Sequence, residues 1–226
     1  MLVAMSDPKR VPGRHKFWLA LECAGLFLGV PAAVAMRWLP VPFIPVLLVM
    51  TAACWLALEY QHRVPVRTLL KPKVSGREWT RVLVIYLVAL PCLAGLLWLI
   101  EPRLMFLLLR KHPGIWLLIM VAYPVLSVFP QELIYRAFFF ERYRPLFGRE
   151  LGMIAASAAV FAFGHIIFHH WISVVLTLAG GWLFATTYRR TSSLLLVCAE
   201  HALYGCAIFT IGFGEYFFDR LPWLFR

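Results

Sequence analysis

Apolar residues fall along this chain in seven stretches, at about 17–36, 40–59, 82–100, 115–145, 151–168, 171–188 and 193–214. A helix rising about 1.5 Å per residue needs roughly 20 apolar residues to cross a hydrocarbon core about 30 Å thick. The expected fold is therefore all-α, a polytopic transmembrane helix bundle of about seven spans. Short polar breaks separate the stretches, and none is long enough to divide the chain. Residues 1–226 thus read as a single integral membrane domain. The sizeable polar insertion is the basic loop at 60–81. Pro40, Pro42 and Pro45 predict an irregular start to the second span, because proline cannot donate to the helix ladder. PRLMFLLLR at 102–110 is half the length of a span; if it entered the membrane, it would change the parity of crossings. The first apolar stretch follows a basic segment, as a signal peptide does, but its length marks it as a span.

Composition agrees with this pattern. Hydrophobic residues make up 62% of the chain and charged residues 15%, with a mean hydropathy of +0.78, against roughly 25% charged in soluble domains. A net charge of +11 raises nucleic acid as a partner, and the placement of the charges excludes it. Lys9, Arg10, Arg14 and Lys16 precede the first span. The series Arg63 to Arg81, Arg142 to Arg149, and Arg189 with Arg190 follow the second, fourth and sixth. One side of the seven-span arrangement holds 15 Lys and Arg and the other holds six, the distribution of cytoplasmic and opposite loops. The expected localisation is a bacterial inner membrane, with a cytoplasmic N-terminus and the lipid bilayer as partner. The five cysteines, Cys23, Cys54, Cys92, Cys198 and Cys206, lie in apolar runs without metal-type spacing and read as small buried hydrophobes. Trp38, Trp79, Trp171 and Trp223 suit interfacial anchoring.

Charge at bilayer depth is costly and asks for a partner or a function. The second half of the chain holds such residues: Glu132 and Arg136 in QELIYR, His165 in FAFGHIIFHH, and Glu200 with His201 in CAEHALYG. Counted along their helices from Arg144, Arg149 and Arg190, Glu132, His165 and His201 lie about 18, 24 and 16 Å in, which is comparable depth on three helices. Glu132 and Arg136, four residues apart, share a helix face and suit an ion pair. Pro130 just before them would free backbone groups at a cavity. A carboxylate beside an imidazole can deprotonate a water for attack on a peptide carbonyl, with a second imidazole at the oxyanion. Alternatively Glu132, His165 and His201 would ligate zinc. No cofactor is demanded by the pattern. Each residue also has a plainer role: a structural ion pair for Glu132 and Arg136, and helix-to-helix hydrogen bonds for the histidines. His169, four residues after His165, has metal-holding spacing but falls with His170 at the interface. Glu22 would reach either the cavity or the cytoplasmic headgroups.

At these residues the sequence resembles the CPBP family, the CAAX-prenyl-protease and bacteriocin-processing intramembrane endopeptidases. The family motifs are EExxxR, FxxxH and HxxxN, one per helix. Here they read QELIYR (Gln131 to Arg136), FAFGH (Phe161 to His165) and HALYG (His201 to Gly205). The resemblance implies a CPBP-like intramembrane protease core at 115–214, preceded at 1–114 by N-terminal spans and the basic cytoplasmic loop. It implies hydrolysis of a membrane peptide or lipidated protein substrate, with Glu132 and His165 activating water and His201 assisting the oxyanion. Gln131, Arg136, Phe161, Gly205 and Glu200 would line or support the site. Two positions depart from the family. Its water-activating first glutamate is Gln131, and its closing Asn is Gly205. For Glu132 to take over as base, one position further along, the helix must be rotated or irregular, since successive residues point about 100° apart. The alternatives are a catalytically inactive relative that binds a membrane partner, and a transporter or channel. No inverted second half supports the last of these.

Overall fold

In the computed structural model, which describes residues 12–39, 42–61, 64–70, 74–148 and 150–218, every element is helical. Among the described residues, seven helices are long and apolar enough to cross a membrane. They are α1 (Gly13–Ala35), α2 (Phe43–Gln61), α3 (Gly76–Ile100), α4 (Pro113–Arg142), α5 (Leu151–Phe168), α6 (Trp171–Thr191) and α7 (Leu194–Ile211). The chain is an integral membrane protein. Lys9, Arg10, Pro40, Arg63, Arg149 and Trp223, named above, lie outside the described residues.

The helix starts follow local chemistry. Ser193 caps α7, its hydroxyl accepting from the Leu196 amide at 3.1 Å. His170 caps α6 through Nδ1, which accepts from the Ile172 amide at 3.2 Å. Such caps satisfy amides that have no intrahelical acceptor. His170 also packs against Tyr216, with ring centroids 4.4 Å apart and the rings tilted, so its side chain serves the start of the helix. Pro45 falls in the first turn of α2, where a missing amide is harmless, and α2 begins as a regular helix at Phe43 instead of irregularly. α3 starts at Gly76, six residues before the expected 82, so Arg77, Trp79 and Arg81 are helical and the loop is correspondingly shorter.

The PRLMFLLLR segment makes no crossing. It forms a 3-10 turn at Pro102–Leu104 and a short helix at Leu107–Lys111, with Leu104, Leu107 and Leu108 buried. The Phe106 amide donates to the Ile211 carbonyl at 2.7 Å, closing the end of α7. Gly212 makes this approach possible. Its φ is +130°, and a Cβ there would sit 2.1 Å from the Leu104 carbonyl oxygen.

α5 to α7, with the second half of α4, form the inner part of the bundle. α7 is the most buried span and α3 the least. One apolar cluster gathers Phe27, Phe139, Tyr143, Phe161 and Phe184, and a second gathers Leu97, Leu104, Leu108 and Phe213. Trp98, Leu99, Val121 and Trp171 are exposed, as residues facing hydrocarbon chains should be. At one end of the bundle, the Glu22 carboxylate of α1 accepts from Arg142 Nε and Nη2 at 2.9 and 2.6 Å and from the Tyr143 hydroxyl at 3.0 Å. Burial, then the neighbouring carboxylate, pushes the Tyr143 phenol up, so it remains a donor. Glu22 thus ties α1 to the end of α4 and does not line the cavity described below.

Candidate active site

Two π-helical segments interrupt α4, at Pro124–Val128 and Leu133–Phe138. Pro124 and Pro130 lack amides, which removes rungs of the ordinary ladder at these points. A π turn holds an extra residue, so positions four apart stay close to one line along the helix. Tyr123, Ser127 and Gln131 follow that spacing, and all three face one cavity. The irregularity turns Glu132 inward, toward His201 of α7, and leaves Gln131 rather than Glu132 facing the cavity. Glu132 therefore does not stand where the water-activating base expected from the sequence would.

Glu132 is fully buried, with one oxygen hydrogen-bonded and the other in ion-pair contact without a hydrogen bond among the described residues. Oε1 accepts from His201 Nδ1 at 2.8 Å, and Oε2 is 3.3 Å from Arg136 Nε. The Arg136 guanidinium, also fully buried, donates to Ser157 Oγ at 3.2 Å and to the Gly181 carbonyl at 3.4 Å. Its carbon lies 4.8 Å from the centroid of the Phe161 ring. Gly181 allows this closeness of α5 and α6, since a Cβ there would meet Phe161 at 3.0 Å and the Ala158 Cα at 3.2 Å. A buried carboxylate and guanidinium neutralise each other, and the terminal guanidinium nitrogens find acceptors on two further helices.

The two histidines flank Phe161, with ring centroids 4.7 Å (His165) and 5.6 Å (His201) from its own. His165 begins the 3-10 turn that ends α5, and its Nδ1 lies 2.7 Å from the Phe161 carbonyl oxygen. A carbonyl only accepts, so Nδ1 carries the proton and Nε2 is left as the acceptor of that ring. His201 follows the same logic. With Nδ1–H given to the carboxylate, Nε2 accepts from the Tyr123 hydroxyl at 3.0 Å.

These groups border a cavity of about 920 Å³ lined by mostly apolar side chains. Gln131, Phe161, His165, His201 and Gly205 line it; Glu132, Arg136 and Glu200 do not. Glu132 therefore reaches the cavity only through His201. Gln131 donates from Nε2 to Ser127 Oγ at 2.6 Å, while its buried Oε1 has no hydrogen-bond partner among the described residues. Glu200 is fully buried on α7, with Thr187 of α6 beside its carboxylate. Among the described residues no three His, Cys, Asp or Glu side chains gather as a group that could hold a metal ion. Sequence reasoning missed Tyr123. Its signal was the line of Tyr123, Ser127 and Gln131 at intervals of four within an apolar span, a phenol and a hydroxyl that need partners there.

No curated protein and no solved structure gives a significant match to this chain. One family model matches, described as type II CAAX prenyl endopeptidase Rce1-like, over residues 113–207. That stretch runs from the start of α4 into α7 and contains Glu132, Arg136, His165, His201 and Gly205. The C-terminal half of this membrane protein is thus an Rce1-like domain, consistent with the CPBP proteases.

Proposed function

We propose that this chain is an intramembrane endopeptidase that hydrolyses a peptide bond in a membrane-associated or lipidated substrate. The observation that carries this reading is the meeting of three sequence motifs at one cavity, where Gln131 and the imidazoles of His165 and His201 face the same space. His165 Nε2 is the cavity-facing base. It takes a proton from water while the Gln131 Oε1 acceptor orients that water. Glu132 holds His201 in one tautomer, and Arg136 holds Glu132. His201, whose Nε2 accepts a hydrogen bond in this tautomer, borders the place where the substrate carbonyl lies.

The cavity suits a lipidated substrate. It is bordered by Ile85, Ala89 and Cys92 of α3 on one side and by Leu176 and Trp182 of α6 on the other. Apart from the Arg190–Glu78 ion pair at one end, these two helices have few contacts, so a substrate chain can enter from the bilayer between them. Its size fits a peptide segment together with an apolar chain.

The test is cleavage of a library of membrane peptides, with and without prenyl groups, by purified protein in detergent. Wild type should cleave, and His165→Ala protein of unchanged chromatographic behaviour should be slower by at least about 100-fold. Equal rates in the two would remove His165 from the mechanism. A chelator in parallel separates a histidine-activated water from a metal-bound one. A second reading, an inactive relative that binds a membrane partner, draws on Gln131, whose amide cannot act as a base. Absence of cleavage from folded wild-type protein on every substrate would favour it.

A further inference from the structure

Gly205 leaves the proposed site without the side-chain donor that its motif leads one to expect, and the space beside it is already filled. A Cβ built on Gly205 would lie 2.2 Å from Tyr123 Cε1, 2.4 Å from its hydroxyl oxygen and 2.6 Å from Cζ. No side chain other than hydrogen fits there while Tyr123 holds its place. The phenol belongs to α4 and the glycine to α7, and the hydroxyl that fills the gap is 3.0 Å from His201 Nε2. The ring is held from two sides, 6.0 Å from the His201 ring and 5.3 Å from the Phe209 ring, edge-on to both. The start of the first π segment at Pro124 directly follows it. Tyr123, His165 and His201 border the same cavity.

We propose that Tyr123 is a further catalytic residue, whose hydroxyl donates the oxyanion hydrogen bond that position 205 cannot supply. The proposal rests on the protease reading above. In the resting site the phenolic hydrogen points to His201 Nε2. When water attacks, its oxygen bonds to the substrate carbonyl carbon, its proton passes to His165 Nε2, and the carbonyl π pair moves onto oxygen. Tyr123 turns its O–H to that oxygen without giving up the proton. On collapse the C–N bond breaks, and the leaving nitrogen takes the proton from His165. The glycine and the tyrosine then form one adaptation. A small residue on α7 admits a rigid donor from α4, and the aromatic body of that donor needs little entropy to hold in place.

The experiment compares wild type with Tyr123→Phe, Tyr123→Ala and the pair Tyr123→Ala/Gly205→Asn. Phenylalanine keeps the ring and its contacts with His201 and Phe209. Loss of an oxyanion donor lowers kcat by about 10²- to 10³-fold, and KM should hardly move. In the double variant the removed ring leaves room for a Cβ at 205, and the asparagine amide supplies a donor. It should recover about tenfold or more of the kcat that Tyr123→Ala loses. A Tyr123→Phe enzyme with wild-type kcat overturns the proposal and leaves the protease reading standing. A defect in KM alone, or a double variant no better than Tyr123→Ala, also overturns it and assigns the phenol to packing. Wild type inactive on every substrate fails the protease reading first and takes this proposal with it.

Discussion

His201 Nδ1 and Glu132 Oε1 stand 2.8 Å apart although their residues are 69 positions apart in the chain. The contact joins the middle of α4 to the middle of α7 and orients the one face of His201 that meets the cavity. Because Glu132 is also the counter-charge of Arg136, a single carboxylate connects the charge balance of the bundle to the geometry of its site.

That double duty separates stability from chemistry. Glu132→Gln keeps the shape but leaves the Arg136 guanidinium unpaired in dry surroundings. Breaking one side of such a pair costs about 3–5 kcal/mol. Replacing both, as Glu132→Gln/Arg136→Met, should restore most of that loss while cleavage stays absent. Thermal unfolding in detergent followed by tryptophan fluorescence, beside a cleavage assay, measures both. Cleavage by the double variant would deny Glu132 its part in the site.

Gln131 should show the opposite sign on the two readouts. Its buried Oε1 lacks a partner among the described residues, and a buried acceptor left unmet costs about 1–3 kcal/mol. Gln131→Leu is expected to leave unfolding temperature equal or slightly higher, and to lower kcat by roughly tenfold through a poorly oriented water. A drop in stability without a change in turnover would make Gln131 structural.

The contact of α5 with α6 depends on the absence of a side chain at Gly181. Gly181→Val would press on Phe161 and on the backbone at Ala158, an overpacking that costs typically about 1–3 kcal/mol. It would also push back the carbonyl that accepts from Arg136. A lower unfolding temperature, with weaker activity in the folded fraction, is the expected pair of results.

Glu22 supplies the contrast. Its pairing with Arg142 is partly exposed at the end of the bundle, where an ion pair contributes about 1 kcal/mol or less. Glu22→Ala should shift the unfolding temperature slightly and leave kcat and KM unchanged. A large loss of activity would connect α1 to the chemistry after all.

The hydropathy pattern alone determined the all-helical membrane fold. Seven apolar runs of spanning length admit few other arrangements in a medium that cannot hydrogen-bond to exposed backbone. The motif residues were equally legible, because Glu, Arg and His are too costly at that depth to go unnoticed. Tertiary structure decided which group faces the cavity. Linear spacing cannot give the rotation of α4, and two π segments beside Pro124 and Pro130 direct Gln131 to the cavity and Glu132 to His201. It also decided that PRLMFLLLR seals the end of α7, because Gly212 lets the two backbones meet. The match of Tyr123 to Gly205 was beyond the sequence as well. A phenol fitted against a missing side chain 82 positions away is a fact of packing between two helices, and only their contact in three dimensions creates it.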